Sequence, residues 1–149
     1  MQKSFGLLGR TLVHSYSADI QHLLGNDAYK LYEVEPQDLD AFFRRDNFGG
    51  MNVTIPYKKD VLKYCDILSE EVREIGAANV VLERDGKKIA YNTDKAGFLC
   101  LMRHSGISVT DKKVLVLGSG GASASVQVAL QELQPKEVVV ISRSGNNNY

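Results

Sequence analysis

One stretch near the end of the sequence constrains the fold more than any other. Lys113–Leu117 and Glu137–Ile141 are short runs of β-branched and other apolar residues, which predict buried strands. Between them lie a glycine-rich loop and Ala124–Leu133, in which apolar residues recur at helical spacing. Strand, loop, helix and strand within about 30 residues predict a βαβ unit, because parallel strands need a crossover connection.

The loop of this unit has the composition of a phosphate-binding loop. Glycine lets the backbone turn tightly and approach a pyrophosphate, and the following helix N-terminus supplies free N–H groups and partial positive charge. Ser123 stands where the usual fingerprint has a third glycine, so an ordinary strand–helix turn is the alternative. The context favours a dinucleotide site built from Gly118, Ser119, Gly120, Gly121 and Ala122.

The residues after the second strand indicate which dinucleotide is bound. A site for NAD would place Asp or Glu there, to bind the ribose hydroxyl. This sequence has Ser142, Arg143 and Ser144 instead. A guanidinium suits a 2′-phosphate through its planar set of donors, and the two hydroxyls can add hydrogen bonds. We therefore expect NADP, and the alternative is a solvated surface arginine.

Strand and helix patterns also alternate through the first part of the chain, which predicts an α/β layer with mostly parallel strands. Between two of these strands, Arg84–Lys87 contains Asp-Gly and predicts a hairpin. Gly106–Asp111 is polar and is interpreted as a linker. The expected fold class is therefore α/β, with a mostly parallel-sheet domain in residues 1–105 and a partial Rossmann βαβ unit in residues 106–149.

Two further predictions depend on glycine, proline and helical spacing. Gly49 and Gly50 are expected to end a helix, so that the next strand runs over Met51–Ile55. Pro56 would end that strand. Apolar residues at helical spacing then predict a helix over Lys58–Leu68, with Lys58 near its first turn.

Polar residues stand at the ends of several of these elements. Lys58 is a candidate for proton transfer, although most surface lysines are only solvated. Asp94 starts a predicted helix and would by itself be interpreted as an N-cap. Ser15 and Ser17, beside another helix start, also fit capping. Asn79 ends a turn before a strand.

Taken together, and in this order, the segments resemble the shikimate dehydrogenase family. The family patterns G-x-x-x-x-H-S-x-S, N-V-T-x-P-x-K, G-A-x-N, N-T-D-x-x-G and G-x-G-G-A all occur at compatible spacing. They correspond here to Gly9–Ser17, Asn52–Lys58, Gly76–Asn79, Asn92–Gly97 and Gly118–Ala122. The resemblance covers essentially the whole chain, and it implies that residues 1–105 are a three-layer substrate domain.

The resemblance implies an oxidoreductase that uses NADPH to reduce 3-dehydroshikimate reversibly to shikimate, in the chorismate pathway to aromatic amino acids. The serines would bind the substrate carboxylate, and three further side chains would hold its ring hydroxyls. The implied substrate-binding residues are Ser15, Ser17, Thr54, Asn79 and Asp94. The implied catalytic pair is Lys58 and Asp94.

Two positions depart from the family pattern. Ala18 stands where proline often follows the second serine, and Gln21 stands where the family often has histidine. Neither is expected to carry chemistry, but they leave open an enzyme that accepts quinate. Another alternative is a different two-domain NADP enzyme, such as a methylenetetrahydrofolate dehydrogenase, and the segments Asn52–Lys58 and Asn92–Asp94 argue against it.

The resemblance also implies that the family's cofactor domain continues beyond Tyr149. Two strands and one helix would leave apolar faces such as Val138–Ile141 partly uncovered. We therefore expect these 149 residues to be a fragment that is inactive, or nearly so, on its own. The alternative is a stable non-catalytic fragment that self-associates through the incomplete Rossmann part.

Composition excludes several kinds of partner. Lys+Arg and Asp+Glu number 18 each, so a neutral chain gives no reason to expect nucleic acid or a membrane surface. No apolar run approaches the roughly 20 residues of a membrane span, and a cytoplasmic protein is expected. Cys65 and Cys100 lack metal-ligand spacing, so we expect two reduced core thiols and no metal site.

Overall fold

The computed structural model describes residues 3–143. The strands are β1 (Ser4–Gly9), β2 (Tyr29–Glu33), β3 (Phe48–Val53), β4 (Ile67–Leu68), β5 (Val80–Arg84), β6 (Lys87–Tyr91), β7 (Lys113–Leu117) and β8 (Glu137–Ile141). The α-helices are α1 (Ser17–Leu23), α2 (Leu39–Phe43), α3 (Glu70–Ile75), α4 (Asp94–Ser105) and α5 (Gly121–Leu133). Two short 3-10 segments lie at Pro36–Asp38 and Asp60–Tyr64.

The first six strands form one sheet in the order β2-β1-β3-β5-β6-β4. The pairs β1–β2, β1–β3 and β4–β6 are parallel, whereas β3–β5 and β5–β6 are antiparallel. Strands β7 and β8 form a separate parallel pair. The predicted α/β class, with mostly parallel pairing and a βαβ unit at the end, is confirmed.

The two faces of the six-stranded sheet differ in cover. One face packs against α2, α3 and the 3-10 segment Asp60–Tyr64, and its core includes Leu8, Phe48, Met51 and Val81, all at most 1% exposed. Helix α1 lies on the other face, against β1 and β2. The sheet is therefore the middle of three layers. Further large apolar side chains on that second face are 36% to 42% exposed: Phe5, Leu31, Ile67, Leu82 and Tyr91.

The hairpin between β5 and β6 is confirmed. Its two turn residues, Asp85 and Gly86, have φ values of 52° and 73°. Two successive positive φ values are the signature of a type I′ turn, whose twist matches that of paired strands. Asp-Gly therefore fixes the register in which Arg84 pairs with Lys87.

The strand predicted at Met51–Ile55 is misplaced, because β3 begins three residues earlier and contains both glycines. A Cβ on Gly49 would lie 2.9 Å from the Ser4 carbonyl oxygen, and one on Gly50 would lie 2.5 Å from a methyl group of Leu82. The glycines therefore allow neighbouring strands and side chains to approach closely instead of ending an element.

The helix predicted over Lys58–Leu68 is also largely wrong. Its middle is the 3-10 segment Asp60–Tyr64, and its end is the two-residue strand β4. Val61 is fully buried, so the apolar spacing did report a buried face. Pairing of β4 with β6 decides the conformation of the last residues, and helical spacing carries no signal for that pairing.

The βαβ unit has strands with the predicted bounds, but α5 begins at Gly121 and not at Ala124. Its helix buries Ala129 and Leu130, which are 0% and 1% exposed. Its first strand is open, because Leu115 and Leu117 are 57% and 77% exposed. The expected uncovered apolar face is therefore present in this part of the chain.

The two cysteines differ in environment. Cys65 packs against the core, and burial raises the pKa of its thiol to about 11. The prediction of a core thiol is wrong for Cys100, which is exposed on α4. Within residues 3–143, no helix combines the length and the apolar character needed to cross a bilayer.

Candidate active site

Backbone hydrogen bonds fix the position of Lys58. The chain turns after β3, and the Tyr57 N–H donates to the Thr54 carbonyl at 2.9 Å. The Ala78 N–H donates to the Lys58 carbonyl at 2.7 Å, so the turn is tied to the segment that contains Asn79. Lys58 therefore lies in a turn of the chain. The prediction that it lies in the first turn of a helix is wrong.

Lys58 and Asp94 form an ion pair across two segments that are distant in sequence. The ammonium Nζ donates to Asp94 Oδ2 at 2.5 Å. The side chains are 14% and 28% exposed, so water only partly screens their attraction. A charge-assisted hydrogen bond of this kind is stronger than one between neutral groups.

Asn79 completes this arrangement. Its Nδ2 donates to Asp94 Oδ1 at 2.9 Å and to Thr93 Oγ1 at 2.8 Å. Its Oδ1 accepts from the Thr93 N–H at 2.9 Å. Lys58 and Asn79 thus engage both oxygens of the Asp94 carboxylate, which does not cap α4.

The Lys58–Asp94 pair opens into a cavity of about 310 Å³ at the carboxyl ends of β1 and β3. The structure brings five of the six proposed substrate and catalytic side chains to this cavity. These are Ser17, Thr54, Lys58, Asn79 and Asp94. Ser15 does not line it, but its hydroxyl accepts from the Ser17 N–H at 3.2 Å and so supports Ser17.

Sequence reasoning missed part of the cavity wall. Tyr29, on β2, donates its hydroxyl hydrogen to Asn52 Oδ1 at 2.7 Å, and both residues line the cavity beside Gln21. Burial raises the pKa of Tyr29 to about 12, so its hydroxyl remains a donor at neutral pH. Asn52 belongs to the quoted N-V-T segment and could have been found there, whereas Tyr29 carries no motif signal.

The glycine loop is open and fits a phosphate group. Gly118 has φ of 110°, a conformation that side chains rarely adopt. A Cβ on Gly118 or Gly120 would meet no atom within 4 Å, so the space beside the backbone is free. No side chain among the described residues caps α5, whose first N–H groups point toward the loop. Ser119 and Ala122 are also exposed.

The proposed 2′-phosphate residues lie next to this loop. The Gly118 N–H donates to the Ile141 carbonyl at 2.8 Å, which ties the loop to the end of β8. Ser142 is buried, and Arg143 is exposed. Ser144 lies outside the described residues.

In the part of the chain that the structure describes, no three His, Cys, Asp or Glu side chains come together in a way that could hold a metal ion.

A sequence profile described as the shikimate dehydrogenase substrate binding domain matches residues 7–81, which span half of the 149-residue chain. The chain belongs to the shikimate dehydrogenase family. The matched range includes Ser15, Ser17, Thr54, Lys58 and Asn79. The family resemblance inferred from the motifs is therefore confirmed.

Shikimate dehydrogenases in other organisms resemble this chain over nearly all its length. The NADP(+) shikimate dehydrogenase of Caldicellulosiruptor bescii is 40% identical over 97% of this chain and 53% of its own. The crystal structure of shikimate dehydrogenase 1 from Peptoclostridium difficile superposes with a TM-score of 0.88 at 32% identity, covering 99% of this chain and 60% of that one.

A third relative has ligands bound. The Thermus thermophilus shikimate 5-dehydrogenase, in complex with NADP(H) and shikimate, superposes with a TM-score of 0.81 at 33% identity. The match covers 96% of this chain and 57% of the Thermus chain. This shikimate dehydrogenase family member thus spans about half the length of the curated relatives it matches.

Proposed function

We propose that this chain supplies the substrate site and the phosphate loop of an NADP-dependent shikimate dehydrogenase. The observation that carries the proposal is the Lys58–Asp94 pair, held by Asn79 in a cavity that also contains Ser17 and Thr54. Relatives named as NADP(+) shikimate dehydrogenases, and a Thermus relative in complex with NADP(H) and shikimate, support the choice of substrate and cofactor.

The proposed substrate contacts follow from the donors and acceptors in the cavity. Ser17, assisted by Ser15, would donate hydroxyl hydrogen bonds to the carboxylate of the ring. Thr54 and Asn79 would bind the ring hydroxyls, and the Asp94 carboxylate would accept from one of them. All five positions come from family motifs, and four of the five line the cavity.

Lys58 is the proposed proton donor. NADPH, when bound, supplies the hydride that reduces the C3 carbonyl of 3-dehydroshikimate. Lys58 Nζ holds a proton that passes to the carbonyl oxygen as negative charge develops there. The Asp94 carboxylate keeps the ammonium in place through the bond at 2.5 Å. In the reverse direction the neutral amine of Lys58 accepts the hydroxyl proton.

The residues present fit the cofactor at its phosphates. The open backbone at Gly118–Ala122 and the N-terminus of α5 would hold the pyrophosphate. Arg143, exposed beside that loop, would bind the 2′-phosphate.

Substrate binding by the 149-residue chain is the direct test. Calorimetric titration with shikimate should show one site, and Asp94→Ala should weaken binding at least about ten-fold, because it removes a charged partner of a hydroxyl. Quinate titrated in parallel distinguishes the alternative substrate. No binding of either acid would refute the proposal.

Turnover tests the role of Lys58 in a protein that carries these residues together with a whole cofactor domain. Lys58→Met should lower kcat about 10²- to 10⁴-fold, with a much smaller effect on KM. Lys59→Met is the matched control, because Lys59 is the adjacent and exposed lysine. Near-normal turnover by Lys58→Met would remove Lys58 from the mechanism.

A second property is favoured by the exposed apolar strand β7. We propose that the 149 residues alone self-associate through Leu115 and Leu117, and turn over little because their cofactor unit has only two strands in the described part. Analytical ultracentrifugation at two concentrations, with an NADPH assay on the same sample, tests this. A monomer at both concentrations, or rapid turnover, would contradict it.

A further inference from the structure

Helix α5 begins in the cofactor loop, but its first two turns also contact the substrate site. Ser125 is fully buried and forms hydrogen bonds with the Asn92 side chain. Gly121 lies against the side chain of Lys58. The helix therefore contacts Lys58 directly and reaches Asp94 through one intervening side chain, that of Asn92.

The Asn92 side chain joins three segments. It is only 6% exposed, and its Nδ2 donates to the Ala77 carbonyl at 2.8 Å and to Ser125 Oγ at 3.1 Å. Its Oδ1 accepts from the Asp94 N–H at 2.9 Å. One buried amide thus holds the start of α4, the segment before Asn79 and the second turn of α5.

The contact at Gly121 is close. A Cβ there would lie 2.7 Å from the Cβ of Lys58 and 3.2 Å from its Cδ. Cβ of Lys58 is next to the backbone and cannot swing away as a side-chain end could. The absent side chain of Gly121 therefore provides the space that the stem of Lys58 occupies.

We propose that Asn92 and Ser125 are positioning residues for Asp94, and that Gly121 sets the place of Lys58. The first two turns of α5 then fix the position of the Lys58–Asp94 pair relative to the glycine loop, Gly118–Ala122. This inference rests on the proposed function, because the pair matters only if it binds shikimate. It adds a role for Asn92 and Ser125, which touch neither ligand site directly in the described structure.

Two buried serines on α5 provide a matched test. Ser123 and Ser125 are 9% and 0% exposed, but among the described residues the Ser123 hydroxyl bonds only to Gln127, on its own helix. Ser125→Ala should weaken shikimate binding by the 149-residue chain about five-fold, the effect of one lost hydrogen bond. Ser123→Ala should leave it unchanged.

A conservative variant separates positioning from general stability. Ser125→Thr keeps the hydroxyl but adds a methyl group in a buried site, so it should lower Tm while shikimate affinity stays within about two-fold. If affinity simply followed Tm across the three serine variants, the positioning role would be overturned.

Amide hydrogen exchange gives a readout that needs no substrate. Asn92→Ala removes the acceptor of the Asp94 N–H, and Ser125→Ala leaves that acceptor less firmly held. Both variants should therefore speed exchange of the Asp94 N–H relative to Ser123→Ala. Absence of shikimate binding by the unmodified chain would refute the proposed function but leave this exchange test valid. Equal Asp94 exchange in the Ser123 and Ser125 variants would refute the inference.

Discussion

The six-stranded region and the βαβ unit are held together in different ways. In the first, buried side chains from four strands and three helical segments meet in one core, where Leu8, Phe48 and Val81 are fully buried. In the second, one helix covers two strands, and Leu117 of β7 is 77% exposed. The first region has its own core, and the second depends strongly on α5 and its contact with α4.

The difference matches the two proposed tasks. A substrate site that reads a ring needs side chains from several distant segments, so it requires a rigid scaffold. A phosphate loop binds mainly through backbone N–H groups at one helix start, so a short local unit can carry it. The comparison therefore predicts that the two regions respond differently to the same kind of damage.

The largest effect is expected from Phe48→Ala, compared with Leu130→Ala. Phe48 is 0% exposed and its ring lies 5.4 Å from that of Phe43, so its truncation should cost about 3–5 kcal/mol. Leu130, at 1%, should cost about 2–5 kcal/mol but mainly within α5, β7 and β8. Urea unfolding combined with amide exchange measures both. If Leu130→Ala reduced exchange protection in β1 and β3 as much as in β7 and β8, the two regions would form one cooperative unit and the comparison would fail.

The thiols sharpen the contrast between closed and open surfaces. Burial raises the pKa of Cys65 to about 11, so above pH 9 the unfolded chain loses this proton before the folded chain does. Stability should then fall as pH rises from 9 to 11, by up to about 2 kcal/mol from this group. Cys65→Ala should flatten that pH dependence, measured as urea midpoints.

Cys100→Ala is the control for this measurement, because Cys100 is exposed on α4. Its pH dependence should match that of the unmodified chain. A Cys65→Ala variant that kept the full alkaline loss would assign the effect to other groups.

A smaller effect is expected at the junction of the two regions. Lys95, on α4, donates to Glu74 of α3 and pairs with Glu132 of α5, each at 2.9 Å, and these bonds raise the pKa of Lys95. The contribution is present below the ordinary lysine pKa and is lost as pH rises through the raised value. Because both glutamates are about half exposed, Lys95→Met should cost about 1 kcal/mol or less, measured as a Tm decrease.

The matched variant Glu132→Gln removes only the negative charge on α5 that pairs with Lys95. It should lower exchange protection in α5 more than in α3. The reverse order would show that Lys95 does not connect the regions as the structure suggests.

The smallest effect on stability is expected from Leu117→Lys, on the exposed face of β7. A substitution at a side chain this exposed should change the free energy of unfolding by no more than about 0.5 kcal/mol. It should nevertheless shift any self-association toward monomer, because it places a charge in the apolar strand. Sedimentation of this variant beside Val13→Lys, an equally exposed apolar site outside β7, is the measurement. Equal effects would remove β7 as the contact.

The sequence predicted the βαβ unit well because its determinants are local. Strands β7 and β8 have the bounds expected from Lys113–Leu117 and Glu137–Ile141. The hairpin between β5 and β6 was predicted for the same reason, because Asp85-Gly86 sets the turn by its own backbone preference. The start of β3 was missed because its two glycines allow close approach of the Ser4 carbonyl and Leu82, which are distant in sequence. Segment β4 was missed because its pairing with β6 decides its conformation.

The same distinction holds for the candidate site. Motifs identified Lys58, Asp94 and Asn79, and the structure places Lys58 and Asn79 within hydrogen-bonding distance of the Asp94 carboxylate. Motifs could not reveal Tyr29, because its role depends on the packing of β2 against β3 through β1. Nor could they reveal Ser125, whose partner Asn92 lies 33 positions earlier in the chain.

The bond between Asn92 and Ser125 matters for anyone who recombines enzymes of this family. The polar linker Gly106–Asp111 looks like a natural crossover point for grafting a new cofactor unit onto this substrate domain. A graft made there would replace Ser125 and Gly121, and so remove the native neighbours of Asn92 and Lys58. Chimeras should therefore tolerate exchange of the strands β7 and β8 better than exchange of the first two turns of α5.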